Sequence, residues 1–235
     1  MIYMVFFCML LGATLGSFAN MLVWRLPRQE NWITGHSYCP NCEHELEPLD
    51  LIPIISYIAL GGKCRYCHKP ISPRYLIIEL LMTGLFVLCP ILYGSLGLHY
   101  TVAYAVTVFF FMCLSVWDME TMEVPALFLY IPLAVNAFLF YHNYMAVLLA
   151  LGTFTIAYLL LWLYHRGTVH LVGDGDIYAI AALAFLLPPQ SVMYFLIITC
   201  FFALVYAILR KSDKLPMIPF LFAGYIVTML LLLVL

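Results

Sequence analysis

The chain has 235 residues, 66% of them hydrophobic and only 9% charged, with a net charge of -2 and a mean hydropathy of +1.03. Soluble domains carry about a quarter charged residues, so this composition points to a polytopic membrane protein; the net charge says little beside where the charges sit, and no nucleic-acid partner is expected. Only helices satisfy their own backbone in lipid without closing a barrel, so the expected fold is an all-α polytopic membrane protein in contact with membrane lipid.

Residues 2 to 24 are uncharged and apolar, long enough to cross a hydrocarbon core of about 30 Å. They read as a first transmembrane helix (1–24) rather than a cleaved signal, because no basic residue precedes them while Arg25 and Arg28 follow. Gly12 and Gly16 form a GxxxG pair suited to close helix packing. Residues 25–73 form the one long polar segment. Inside it, Leu51 to Leu60 is apolar but too short to span, which leaves a small core helix or an interfacial segment. The remainder, 74–235, reads as a helical bundle, with apolar stretches at 74 to 93, 100 to 118, 125 to 141, 144 to 164, 176 to 188, 191 to 209 and 216 to 235. That predicts about eight transmembrane helices, the sixth unusually short.

The basic residues orient the chain. Arg25, Arg28, Lys63, Arg65, Lys69 and Arg74 lie in or at the end of the polar segment, and Arg166, Arg210, Lys211 and Lys214 lie in two later connections. An N-terminus outside the membrane puts all ten on the cytoplasmic side, in accord with the positive-inside tendency. The connections then assigned outside hold no Lys or Arg. Asp118 and Asp176 fall at the cytoplasmic ends of their helices.

Chemistry begins in the polar segment. Cys39-Pro-Asn-Cys42 and Cys64-Arg-Tyr-Cys67 are two CxxC pairs separated by 21 residues, a spacing that closes a tetrahedral four-thiolate zinc site. A closed site of this kind is structural, folding a loop too small and polar to hold itself together. A pair of disulfides is the rival, disfavoured because cytoplasmic thiols stay reduced. His36, His44 and His68 lie nearby, but four cysteines complete the ligand count. Cys8, Cys89, Cys113 and Cys200 stand alone in apolar spans and read as buried packing.

Asp118 ends an apolar run and is followed by Glu120, Glu123, Val124 and Pro125. Gly173-Asp174-Gly175-Asp176 precedes another. The two glycines suit a tight turn that sets Asp176 at a helix N-terminus, where the dipole favours an anion. Carboxylates at a membrane edge are costly and are functional candidates for that reason. Two that meet share a proton, so that one acts as base on water while the other polarises a scissile carbonyl, with no metal required. Helix capping is the bland reading of each acid alone, and proton or cation transport is another use of membrane acids.

Taken together, these residues resemble the type IV prepilin peptidases, membrane aspartyl proteases with a GxGD motif. Gly16-Ser-Phe-Ala-Asn20 running through to Leu26-Pro27 is similar to the family's first-helix box, and the CxxC pairs stand at its positions. The stretch Cys64 to Glu79 is similar to the approach to its second helix, and Asp118 with Val124-Pro125 resembles its first catalytic box. The resemblance covers nearly the whole chain in order.

It implies catalysis by Asp118 and Asp176, with Gly173, Asp174, Gly175 and Glu79 as supporting positions. It implies a prepilin or pseudopilin substrate, cut at the cytoplasmic membrane face of a bacterial inner or plasma membrane where a basic leader meets an apolar helix. Glu79, Glu120 and Glu123 would attract that leader by charge. It also implies N-methylation of the new N-terminus with S-adenosylmethionine, for which the residues themselves show no donor site. Two departures stand out: Asp174 adds a third acid, most simply one facing water, and Tyr178 replaces a lysine common in relatives. The other classes kept open are a proton- or metal-coupled transporter and a non-enzymatic pilus or secretion assembly protein. Oligomeric state is not legible.

Overall fold

The computed structural model describes residues 2–94, 96–164, 174–210 and 215–234. Among them the regular structure is helical, without strands and with two isolated bridges, Tyr38–Glu45 and Lys63–Pro70. The main helices are α1 (Ile2–Arg25), α2 (Ile55–Ala59), α3 (Pro73–Tyr93), α4 (Leu98–Thr121), α5 (Ala126–Leu139), α6 (Tyr144–Tyr164), α7 (Asp174–Ala184), α8 (Val192–Arg210) and α9 (Ile218–Val234).

Each of the eight apolar stretches is thus a helix, and among the described residues four or five are candidate membrane spans. By length and composition α1, α3, α4 and α8 are able to cross a membrane, and α5 with the start of α6 makes a fifth if that pair, bent by 97°, is one broken span. Helices α7 and α9 are apolar but short. At 1.5 Å per residue, the 11 residues of α7 reach only about half of a 30 Å core. The basic connections at Arg166 and at Lys211 and Lys214, along with His165 and His170, lie outside the described residues.

The chain divides into two compact units, Met1–Thr101 and Val102–Leu235. In the first, α3 packs antiparallel on α1. The GxxxG pair is the reason they come so close: a Cβ on Gly12 would stand 2.7 Å from Met82 O, and one on Gly16 would stand 2.8 Å from Glu79 Cα. Asn20 Nδ2 donates to Tyr75 O at 3.0 Å further along the seam. Arg25, 4% exposed, then anchors the polar segment, its guanidinium donating to the carbonyls of Asn31, Gly35 and His36. Of the two readings of Leu51 to Leu60, the structure favours a surface segment, since Ile55 and Ile58 are 64% and 66% exposed.

The second unit is built on amides and small residues inside apolar helices. Asn136 of α5, fully buried, donates from Nδ2 to Thr107 Oγ1 of α4 at 2.9 Å and to Ala182 O of α7 at 2.8 Å, tying three helices at one point. Asn143 donates to Phe185 O and Leu187 O, fixing the exit of α7. Gly224 of α9 lies so near α8 that an added Cβ would collide with the Thr199 side chain. Cys8, Cys89 and Cys113 are buried as expected; Cys200 is exposed on the outer face of α8, a correction to its reading as core.

Candidate functional site

The acids of the second unit are set by helix ends. Helix α4 stops because Met122 takes a left-handed conformation (φ 56) while its N–H closes on Asp118 O at 3.0 Å, and Pro125 follows. Asp118 therefore sits in the last turn, 7% exposed, and its Oδ2 accepts the N–H of Ile218 at 3.0 Å. Ile218 is the first residue of α9, so a carboxylate from α4 satisfies one orphan donor at another helix's N-terminus, where negative charge is favoured. Helix capping is part of what Asp118 does. It also holds this carboxylate in one place, buried and oriented.

Asp176 lies in the first turn of α7, half-buried. Gly175 beside it faces the connection that leaves Asp118: a Cβ there would stand 3.9 Å from Val124 Cβ and from Leu129 Cδ2. The start of α7 thus packs against the chain six residues beyond Asp118. Gly175 is inside the helix without a positive φ, and a methyl group fits, so the tight-turn expectation does not hold at this glycine. Gly173 and the side chain of Asp174 lie outside the described residues. Tyr178, one turn on, meets Tyr130 of α5 edge to face, with ring centroids 5.4 Å apart. Glu120 and Glu123 are exposed at the end of α4.

Glu79 belongs to the first unit and is not a surface acid. It is 7% exposed, its Oε2 accepts the Ile54 N–H at 2.7 Å, and the Ser17 side chain also bonds to it. A leader peptide in solution meets little of this carboxylate, contrary to the sequence expectation. Ile54 is held at φ 65, an unusual conformation for a β-branched residue and a local strain of about 1–3 kcal/mol.

The four cysteines of the polar segment come together, their Sγ atoms all within 4.8 Å of one another. Two matching turns present them. The Cys39 N–H donates to His44 O at 3.0 Å and the Cys64 N–H to Lys69 O at 2.9 Å, while Glu43 and His68 take equivalent left-handed conformations at φ 59 and φ 58. Four thiolates bound at about 2.3 Å to a tetrahedral ion stand about 3.8 Å apart; Cys39 Sγ and Cys67 Sγ are 3.9 Å apart. The donor set and spacing fit zinc. The backbone N–H of Cys67, with that of Tyr66 and neighbouring thiols, pulls the Cys64 thiol down to about 7. At Cys42 the His44 N–H lowers the thiol, but desolvation and the Cys39 and Cys67 sulfurs outweigh it and push it up to about 11. Four thiols this close resist joint ionisation without a cation among them. His44 stacks on Tyr66 at 3.6 Å instead of joining the cluster.

These features, acids at the ends of α4 and α7 and a preceding four-cysteine segment, coincide with two family models. The bacterial Peptidase A24 N-terminal domain matches residues 10–93, and the type IV leader peptidase family matches residues 105–208. The chain belongs to the type IV leader peptidase family. It is 31% identical over 262 residues to the prepilin leader peptidase/N-methyltransferase of Burkholderia pseudomallei (strain 1026b), covering 93% of this chain and 82% of that one. To the enzyme of the same description from Vibrio cholerae it is 28% identical, over 87% of this chain and 85% of that one. The type 4 prepilin-like proteins leader peptide-processing enzyme of Escherichia coli O78:H11 is also 28% identical, over 94% of this chain and 91% of the relative. No solved structure matches the chain.

Sequence reasoning missed Asn136, Asn143 and Ile54. The signal for the first was present as an amide inside an apolar helix, which needs partners in lipid; Ile54 carries no local sign of its conformation.

Proposed function

We propose that this chain is a membrane aspartyl endopeptidase that removes the leader from type IV prepilins or pseudopilins. The observation that carries the reading is the seating of Asp118: a buried carboxylate at a helix end, held by the α9 N-terminus, with the Asp176 end of α7 packed on the connection that follows it.

Asp118 and Asp176 act as a pair. One, ionised, takes a proton from water; the other, protonated, donates a hydrogen bond to the scissile carbonyl oxygen as the water oxygen adds to its carbon. The tetrahedral intermediate collapses when the leaving nitrogen takes a proton from the pair. Ile218 N–H holds Asp118 by Oδ2 through these steps, which spares reorganisation. No step requires a metal. Catalysis belongs to the second unit, a narrower range than 74–235, and zinc held by Cys39, Cys42, Cys64 and Cys67 folds the segment 25–73. Gly173, Asp174 and Gly175 serve to present Asp176. The exposed Glu120 and Glu123 draw the basic leader toward the site.

In the membrane, the eight apolar helices form one bundle, with the N-terminus outside and both acids at the cytoplasmic face, where a leader remains when its apolar helix enters the bilayer. The charge distribution supports this orientation. N-methylation of the new N-terminus with S-adenosylmethionine follows from the relatives' names. Incubating a purified prepilin with the purified chain and reading both products by mass spectrometry tests the reading. It expects a single cut between the basic leader and the apolar helix. An intact substrate across several prepilins would refute it.

A further inference from the structure

The polar segment carries an apolar edge that nothing in the first unit covers. Leu49, Ile52, Ile55 and Ile58 are all exposed, and aliphatic groups gathered on a surface in this way mark a protein or membrane contact. The helix among them, α2, also has an inward side, where the Tyr57 hydroxyl donates to Ile71 O at 3.3 Å. At five residues α2 cannot span a bilayer.

Three observations point to lipid as the cover. The first is depth. Ile54, which precedes α2, donates its N–H to Glu79 Oε2 at 2.7 Å. Glu79 lies in the second turn of α3, about 9 Å past the helix start at 1.5 Å per residue, and a Cβ on Gly16 of α1 would stand 2.8 Å from its Cα. Both α1 and α3 are able to cross a membrane, α3 from Pro73 onward. Ile54 is therefore held alongside these spans and not beyond their ends, at the depth of about 5–10 Å where interfacial helices lie.

The second is continuity. Near the level of Glu79, α3 itself exposes Ile77, Leu80 and Leu81, the kind of surface a spanning helix turns to acyl chains. The third is backbone satisfaction, which lipid demands of any segment that enters it. The N–H groups of Ile55, Ser56, Ile58 and Leu60 donate to carbonyls of the same stretch. That of Ile54 is the one Glu79 accepts, at a residue held in a strained left-handed conformation, φ 65.

We propose that this edge is a wedge in the membrane interface: Ile52, Ile55 and Ile58 insert among the lipids of the leaflet where α1 ends and α3 begins. Glu79 shields the Ile54 N–H from lipid. Cys64 follows α2 by one short turn, so the wedge also tethers the four-cysteine cluster to the membrane surface. The inference goes beyond the peptidase reading and does not depend on it; it requires only that α1 and α3 span.

The test uses the full, zinc-loaded chain in nanodiscs of phosphatidylethanolamine and phosphatidylglycerol, with a benzophenone amino acid replacing Ile58, Leu80 or Glu43. Leu80 is the lipid-facing control, and Glu43, in an exposed turn between cysteines, the water-facing one. After illumination, mass spectrometry is expected to find lipid adducts at position 58 within about twofold of position 80 and at least about tenfold above position 43. Adducts at position 58 no more frequent than at position 43 overturn the wedge. A purified prepilin that takes the cross-link away from lipid overturns it too, since the edge would then serve substrate. A second measurement needs no probe. Ile55→Asn combined with Ile58→Asn is expected to leave zinc content unchanged while residues 49–60 exchange their amide hydrogens at least about tenfold faster in nanodiscs. Both side chains are exposed within the chain, so equal exchange would show that lipid does not hold them and would overturn the proposal.

Discussion

The α1–α3 seam sets a sharp test of how the first unit is held together, because one glycine of its helices, Gly12, faces it and another, Gly84, does not. Replacing Gly12 by alanine adds a Cβ 2.7 Å from Met82 O, 2.8 Å from Phe86 Cβ and 2.9 Å from Thr83 Cα. Two of those three atoms are backbone and cannot rotate away, so the helices must part by roughly 0.7 Å to reach ordinary contact at 3.4 Å. Overpacking of this kind costs about 1–3 kcal/mol, against a gain of about 0.5–1 kcal/mol for alanine over glycine within a helix. The net expectation is a loss of about 1–2 kcal/mol. Gly84, in α3, has nothing within 4 Å of an added Cβ, and Gly84→Ala collects the helix gain alone. Thermal unfolding in one detergent, followed by tryptophan fluorescence and by helix content, ranks the three proteins. The order expected is Gly84→Ala, then the unmodified chain, then Gly12→Ala, with the last lower by a few degrees. A Gly12→Ala protein as stable as Gly84→Ala would refute the close approach of the two helices.

Further expectations concern the polar groups. Arg25→Lys leaves at least one of the Asn31, Gly35 and His36 carbonyls without its donor, and limited proteolysis is expected to nick residues 31–36 faster, with a stability loss of about 1–3 kcal/mol; an unchanged digest would refute the anchor. Cys39→Ser or Cys64→Ser lowers zinc bound per chain, measured by atomic emission, whereas Cys200→Ser leaves it unchanged; equal stoichiometry in all three contradicts the four-cysteine site. Asn136→Leu removes bonds to Thr107 and Ala182, for which about 1–2 kcal/mol of stability is expected to be lost; an unaltered melting temperature would show that the amide does not hold α4, α5 and α7.

Much of this architecture was legible because its signals are local. The eight apolar stretches repeat on the scale of a helix and are bounded by polar residues, and Gly12 and Gly16 are spaced to share one face. The cysteine pairs carry their geometry in their spacing. What was not legible depends on partners distant in the chain. Nothing near Asp118 announces Ile218, 100 residues on, and nothing near Glu79 announces a strained Ile54. The glycines of the GxGD motif invited a turn at Gly175, yet the helix already begins at Asp174; a glycine tolerates either conformation, so the residue alone does not choose. Span number is legible only in part. Apolar composition says that a segment avoids water, but only the observed lengths show that α7, with 11 residues, is much shorter than its neighbours.

The measurement closest to the central claim is the rate of leader removal by Asp118→Asn, Asp176→Asn and the double variant, each purified in folded form. Asparagine keeps an acceptor for Ile218 N–H, so the fold is retained while the acid is lost. If the two acids work as one unit, each single variant loses at least about a hundredfold in rate, and the double variant loses little more. Normal processing by either single variant, or losses that simply multiply in the double, would contradict the pair.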